Sequence, residues 1–244
     1  MVAAPAAAGA VTRSRRLPGL CVGLHVALVD ADSLLAPAEI PDLVGPDRRF
    51  SDRQALAGMR YFVRPAVRRQ LETEIRAQFR AFAATGLPLG HVDAHKHMHL
   101  HPTVGRLLVE LAAEHGCRAV RVPREPGGGL ADALLAPWLG LLRRRVRRAG
   151  MVCADRVYGI RWSGAMTVER VAGIIRTLPD GVSELYLHPA VETTPALAAA
   201  MPGYRHAEEL AALTSLAVKR MVREQGVSLT TYGALAPSAA GEPR

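Results

Sequence analysis

Short apolar runs alternate along the chain with longer segments in which apolar residues recur every three or four positions. The short runs are typical of buried strands, and the longer spacing is typical of helices that bury one face. The strand-like runs are residues 21–29, 89–95, 119–122, 152–160, 182–188 and 227–232. The helix-like segments are residues 5–16, 64–85, 102–116, 134–146, 167–175 and 206–225. The pattern therefore predicts six strands with helices between them.

Repeated alternation of strand and helix predicts parallel strands that are joined by right-handed crossovers. This order favours an α/β barrel, or part of one, over a sandwich, and a doubly wound sheet is the main alternative. No G-x-G-x-x-G sequence follows an early strand, which disfavours a dinucleotide-binding fold. With 244 residues and 49% hydrophobic content, the chain suits one domain. We predict that this domain covers residues 1–235 and that residues 236–244 form a disordered tail.

The chain carries a formal net charge of +9, which raises the question of a polyanionic partner. Its one dense group of basic residues consists of Arg143, Arg144, Arg145, Arg147 and Arg148. No aromatic side chains alternate with these arginines to stack on bases. We therefore predict no nucleic-acid partner, and at most a peripheral contact with the anionic headgroups of a membrane.

The three cysteines, Cys21, Cys117 and Cys153, are widely spaced and form no C-x-x-C pair. This spacing indicates neither a zinc ribbon nor a disulfide framework, and it fits a reduced, cytoplasmic setting. No run of the sequence approaches the roughly 20 apolar residues that a membrane-spanning helix needs.

One run combines a strand-like pattern with six polar residues at alternate positions. They are His91, Asp93, His95, His97, His99 and His101. Because a strand has a period of two residues, the first three of these side chains should share one face. At the carboxyl end of a barrel strand, that face would lie where barrel active sites are built. Neutral imidazoles beside a carboxylate suit a divalent metal such as zinc, whereas the last two histidines are expected to shape only the rim.

Further polar residues lie in other predicted strands. His25 is in the middle of the first strand, and His188 precedes Pro189 at the end of the fifth. In a barrel, both histidines could reach the same mouth as the histidine run. Arg121 and Arg124 end the third strand, where they are either substrate-binding groups or partners in surface salt bridges.

These residues carry a resemblance to a known family. Residues 23–25 are similar to its G-[LM]-H strand, residues 91–97 to its H-[LV]-D-[SA]-H-x-H motif, and residues 187–189 to its C-terminal H-P strand end. On these motifs most of the chain resembles the YdjC-like carbohydrate deacetylase family. Residues 38–43 and 121–125 look closest to one branch of that family, the hopanoid-biosynthesis-associated deacetylase HpnK.

The resemblance implies an irregular (β/α) barrel, similar to a TIM barrel, and removal of the acetyl group from an N-acetylated amino sugar. For the hopanoid branch it implies that the substrate is a glycolipid, an N-acetylglucosaminyl hopanoid. It also implies a divalent metal ion, Mg²⁺ or Zn²⁺, held by an aspartate and by two histidines that correspond to His25 and His95. His188 is then expected to protonate the leaving amine, while Asp93 orients a neighbouring histidine or serves as the base. The residues expected to bind substrate or to support the ligands are His91, His97, Arg121 and Arg124.

The chain departs from the family pattern at its start. Members of the family begin with a strand that ends in A-D-D-F-G, in which one aspartate is a metal ligand and its neighbour is the general base. That motif is absent from this sequence, so by resemblance the first strand and helix of the barrel, with both acidic residues, are missing. We therefore expect weak metal binding, poor catalysis and an open edge in the barrel.

Two other functions stay open. A metallo-phosphoesterase would also use H-x-H pairs, but it needs further ligands, for which Asp155 and His206 are available without a motif around them. A non-catalytic module would keep the site for a sugar or lipid and lose turnover. A homodimer is compatible with each of these functions. Release of acetate, release of phosphate, or binding alone would separate them.

Overall fold

Helices make up most of the regular secondary structure in the computed structural model. The structure describes residues 1–235, apart from the side chains of residues 130–132, so the predicted tail at residues 236–244 lies outside it. The helices of this part are α1 (Ala7–Ser14), α2 (Gln54–Val63), α3 (Pro65–Ala83), α4 (Pro102–Glu114), α5 (Leu130–Arg148), α6 (Val168–Arg176), α7 (Pro195–Ala200), α8 (His206–Thr214), α9 (Leu216–Glu224) and α10 (Tyr232–Leu235). A 3-10 helix, His95–Leu100, is also present.

The strands of the described residues are three residues long and pair in parallel. β1 (Leu24–Val26) pairs with β2 (Val92–Ala94), and β3 (Arg156–Tyr158) pairs with β4 (Ser183–Leu185). The predicted strand at residues 119–122 is reduced to single parallel bridges, which join Val120 to Val92 and Ala119 to Val152. The α/β class and the parallel direction are therefore confirmed. No closed ring of strands is found among residues 1–235, so the irregular barrel stays a prediction.

The contacts of the chain divide it into two compact units. The first contains Met1–Arg121, Leu134–Cys153 and, of the described residues, also 231–235. The second contains Val122–Ala133 and Ala154–Thr230. The single domain over residues 1–235 remains a prediction.

In the first unit, α3 packs against β1 and α4. Its apolar side chains recur at helical spacing, and Leu71, Ile75 and Phe79 are all fully buried. Pro65 occupies the first helical position, where the N–H that proline lacks would have no partner inside the helix. An ion pair between Glu72 and Arg76, one turn apart, lies on the partly exposed side of the helix.

Two buried polar residues of α3 fix the loop that follows β1. Gln78 donates to the Ala27 carbonyl and accepts from the Ala27 N–H, at 2.8 and 3.0 Å. The Glu74 carboxylate accepts from the N–H groups of Leu34 and Leu35, at 2.9 and 3.0 Å. Buried backbone groups without partners are costly, so these two side chains allow an irregular segment to cross the core.

The second unit packs α6, α8 and α9 around a core of its own. The buried members of this core are Met166, Val171, Ile174, Ile175, Ala212 and Val218. The single helix predicted over residues 206–225 is wrong, because Ser215 interrupts it and caps α9 through a bond from the Val218 N–H to its hydroxyl.

The sixth predicted strand, at residues 227–232, is also wrong. The Val227 N–H bonds back to the Val222 carbonyl at the end of α9, and Leu229 is 83% exposed. A β-rich sequence does not form a strand where no neighbouring strand is available to pair with it. None of the helices in the described part of the chain has the length and apolar character needed to cross a bilayer.

Gln78→Leu is expected to destabilise the protein by about 3 kcal/mol, because it leaves the Ala27 N–H and carbonyl buried without partners, at roughly 1–3 kcal/mol each. The free energy of unfolding, measured by urea denaturation, tests this expectation. Arg80→Leu is the matched control, since Arg80 is exposed on the same helix, and it should change stability by less than about 0.5 kcal/mol. Equal effects of the two substitutions would contradict the role given to Gln78.

Candidate functional site

The candidate site centres on the Asp93 carboxylate, which is 3% exposed. In the parallel register of β1 and β2, His25 lies directly beside Asp93. The His25 Nδ1 and the Asp93 Oδ1 are 2.8 Å apart, and the Asp93 Oδ2 accepts a hydrogen bond from the Arg121 guanidinium. Both oxygens of one buried carboxylate are thus engaged, by an imidazole on one side and a cation on the other.

This pairing determines the protonation of His25. Because an ionised carboxylate can only accept, the Nδ1 of His25 carries the hydrogen, and its Nε2 presents a lone pair. Burial, followed by the positive charges of the N-terminal ammonium group and of Arg121, lowers the pKa of His25 to about 3. The imidazole is therefore neutral near pH 7, which is the form that binds a metal.

His95 lies next to His25, with ring centroids 5.6 Å apart and planes nearly perpendicular. Two neighbouring imidazoles fit as part of the donor set of a zinc-like site. Among residues 1–235, however, no group of three or more histidine, cysteine, aspartate or glutamate side chains is arranged to hold a metal ion. The described residues therefore provide two donors and do not complete a site.

The backbone makes an unusual turn directly after His95. Lys96 and His97 both adopt left-handed conformations, with φ of 49° and 55°, which cost roughly 1–2 kcal/mol per residue for side chains other than glycine. Side-chain contacts hold this turn in place: the Lys96 Nζ is 2.7 Å from the Asp30 carboxylate, and Gln54 donates to the Lys96 carbonyl at 2.8 Å. Strain of this kind is concentrated at functional sites.

The other members of the histidine run are distributed around this turn. His91 stacks on Tyr232 and covers Gly23, where an added Cβ would collide with its ring. The rings of His97 and His99 are neighbours, with centroids 6.0 Å apart. His99 was expected at the rim but is 1% exposed, and burial holds its pKa well below the ordinary value.

His101, the last of the run, begins α4. Its Nδ1 accepts from the Thr103 N–H at 3.3 Å, so the imidazole acts as a helix cap. The strand ends at Ala94, and the left-handed turn after His95 breaks the alternation of the run. Among the later histidines, His101 serves as a helix cap.

His188 and Arg124 belong to the second unit. The His188 ring packs between Tyr186 and Tyr204, at centroid distances of 4.7 and 5.1 Å. The side chain of Arg124 is exposed, and its carbonyl accepts from the Val157 N–H at 2.8 Å. The catalytic role of His188 and the substrate-binding role of Arg124 stay predictions.

Glu209 was not among the residues predicted for the site. This residue is fully buried on α8, where its carboxylate accepts from the N–H groups of Met166 and His188. A carboxylate on the buried face of an amphipathic helix, one turn after His206, was the available signal.

Most of the chain is similar in sequence to known proteins. The pattern of the family described as YdjC-like protein matches residues 1–224. A carbohydrate deacetylase of Geobacillus stearothermophilus is 29% identical over 230 residues, or 93% of this chain and 81% of the relative. The carbohydrate deacetylase of Brevibacillus brevis is 26% identical over 227 residues, or 93% and 82%. The human carbohydrate deacetylase is 27% identical over an alignment of 272 positions, which covers 98% of this chain and 81% of the relative.

A crystal structure of a protein from Enterococcus faecalis has a similar fold. It matches with a TM-score of 0.73 at 20% sequence identity, over 97% of this chain and 86% of the other. At this level of identity the likeness supports the α/β fold alone.

Asp93→Ala and Arg121→Ala are each expected to cost about 3–5 kcal/mol, because each leaves one member of a buried ion pair without its partner. The double variant should cost less than the sum of the two by about 2 kcal/mol. Urea denaturation of all four proteins measures this coupling. The same cycle on the exposed pair Arg106 and Glu110 of α4 is the matched control, and it should give no more than about 0.5 kcal/mol. Additive effects at Asp93 and Arg121 would contradict the pairing.

Proposed function

The chain belongs to the YdjC-like protein family, and from this membership we propose that it is a carbohydrate deacetylase, a hydrolase that releases acetate from an N-acetylated amino sugar. The observation that carries the proposal is the pairing of His25 with Asp93 beside His95. These are the residues at which the sequence resembles the family's motifs. The deacetylase names of the relatives support the same substrate class.

We further propose that His25, through its Nε2, and His95 are two of the ligands of a divalent metal ion, Mg²⁺ or Zn²⁺. Such an ion, when bound, polarises the acetamide carbonyl and lowers the pKa of a bound water towards about 7. The neutral state of His25 and the proximity of His95 support this assignment. Because only two donors are on hand among the described residues, we expect the ion to be held weakly.

Asp93 is proposed to orient His25 and to keep its hydrogen on Nδ1, as carboxylates behind metal-binding histidines do. Both carboxylate oxygens already accept from side chains of the protein, His25 and Arg121, and this supports the orienting role over that of a general base. Arg121 balances the buried charge.

His188 is proposed as the group that protonates the leaving amine. The partial exposure of the residue and the packing of its ring against Tyr186 and Tyr204 support this role. His91, His97 and Arg124 remain candidates for supporting the site or binding substrate.

The substrate that we propose is an N-acetylglucosaminyl hopanoid lipid. The support is the resemblance of residues 38–43 and 121–125 to the hopanoid-biosynthesis-associated branch. The peripheral membrane contact, the homodimer and the cytoplasmic setting stay predictions, as does the absence of a nucleic-acid partner.

Acetate release and metal content test the function together. The protein, loaded with Zn²⁺ or Mg²⁺, is expected to release acetate and free amine in equal amounts. His95→Ala should lower both the retained metal and the rate by more than about 100-fold, since even groups behind the ligands contribute roughly 10–100-fold.

His115→Ala is the control for this experiment, because His115 lies at the end of α4, where its ring contacts Phe79. It should retain wild-type activity within about twofold. Release of phosphate from phosphate esters without release of acetate would overturn the deacetylase assignment, and so would binding of the acetylated sugar without turnover.

The choice of lipid substrate has its own test. The value of kcat/KM for the N-acetylglucosaminyl hopanoid is expected to exceed that for free N-acetylglucosamine by about tenfold or more, because contacts with the apolar part lower the barrier. Equal values would remove the hopanoid from the proposal while leaving the deacetylase activity in place.

A further inference from the structure

The carboxylate of Glu209 is buried and is held by backbone N–H groups. The residue is 0% exposed. Its partners are backbone groups: Oε1 accepts from the Met166 N–H at 3.0 Å, and Oε2 accepts from the His188 N–H. Glu209 also lies in the first turn of α8, where the helix dipole favours a negative charge.

His206, one turn earlier on α8, holds the other side of the same residue. Its Nδ1 is 2.6 Å from the His188 carbonyl oxygen. A carbonyl can only accept, so the Nδ1 of His206 carries the hydrogen. The Ala190 N–H in turn donates to the His206 carbonyl at 3.3 Å. One helical turn therefore binds both the N–H and the carbonyl of His188.

The chemistry of this contact requires a carboxylate. Two N–H donors, from Met166 and His188, point at the two oxygens of Glu209. A glutamine would direct its own NH₂ group at one of these donors, so it could satisfy only one of them. Burial of a charged group is costly unless it is hydrogen-bonded, and the Met166 and His188 N–H groups supply those hydrogen bonds to Glu209.

Two tyrosine rings flank the imidazole of His188. It packs edge-on against Tyr186 and Tyr204, with interplanar angles of 86° and 70°. Tyr204 is fixed in turn by a hydrogen bond of 2.9 Å between its hydroxyl and that of Ser163. It also lies over Gly164, where an added Cβ would collide with the tyrosine ring.

We propose that Glu209 and His206 are positioning residues that orient the imidazole of His188 for proton transfer. The inference rests on the proposed function of His188. Both residues are buried, so they act through the His188 backbone, and the two tyrosines set the direction of the ring.

Kinetics of Glu209→Gln test the proposal. Since misplacement of a catalytic group by about 1 Å can cost roughly 100-fold, kcat should fall about 10- to 100-fold while KM stays within about twofold. In a His188→Ala background, Glu209→Gln should cause no further loss, because residues that act as a unit are not additive. Losses that multiply in the double variant would overturn the inference.

A conservative substitution separates positioning from folding. His206→Asn keeps a side-chain N–H near the place of Nδ1, whereas His206→Ala removes it. We expect His206→Asn to recover most of the kcat that His206→Ala loses, at equal thermal stability. Equal kcat values for the two variants would contradict the role given to His206.

A spectroscopic arm keeps the inference testable apart from the deacetylase activity. The ¹⁵N and ¹³C chemical shifts of the His188 imidazole are expected to change in Glu209→Gln. They should not change in Glu208→Gln, which alters an exposed neighbour paired with Arg205. Should the protein release no acetate, these shifts still report whether Glu209 orients His188, and unchanged shifts in Glu209→Gln would refute it.

Discussion

The candidate site depends on the hydrogen bonds that stabilise the buried Asp93 carboxylate. One oxygen holds the Nδ1–H of His25, and the other accepts from Arg121. Removing either partner would leave a buried group unpaired, so the three side chains behave as one unit. The parallel register of β1 and β2 brings His25 and Asp93 side by side. With the hydrogen on Nδ1, the Nε2 of His25 presents its lone pair.

Polar contacts, as well as apolar burial, hold the backbone segments on either side of this site in place. Gln78 and Glu74 supply hydrogen-bond partners to the loop that follows β1. Lys96 ties the left-handed turn after His95 to Asp30. These contacts allow irregular backbone to lie against a packed core, which a wholly apolar core could not do without leaving amide groups unpaired. The cost of the strained turn is thereby offset by contacts on both sides of it.

The second unit also contains a buried carboxylate, that of Glu209, and backbone N–H groups satisfy it. There the first turn of α8 binds the backbone of His188, and the tyrosine rings on either side restrict the orientation of its imidazole. In both units a buried carboxylate without direct access to solvent orders a histidine. Asp93 acts on an imidazole directly, whereas Glu209 acts on the peptide groups that carry one. The pairing of each buried acid with a histidine thus depends on the tertiary structure as well as on the sequence motifs.

The sequence by itself determined most of the alternation of strand and helix, because that follows from local periodicity, and the parallel pairing, because that follows from the order of the elements. It also carried the motifs that resemble the deacetylase family. It did not determine that residues 227–232 would remain unpaired, since strand formation depends on a neighbour that the local sequence cannot supply. Nor could it show that His99 is buried, that His101 caps a helix, or that Glu209 meets His188. Those outcomes depend on contacts between residues far apart in the chain, and only the tertiary structure decided them.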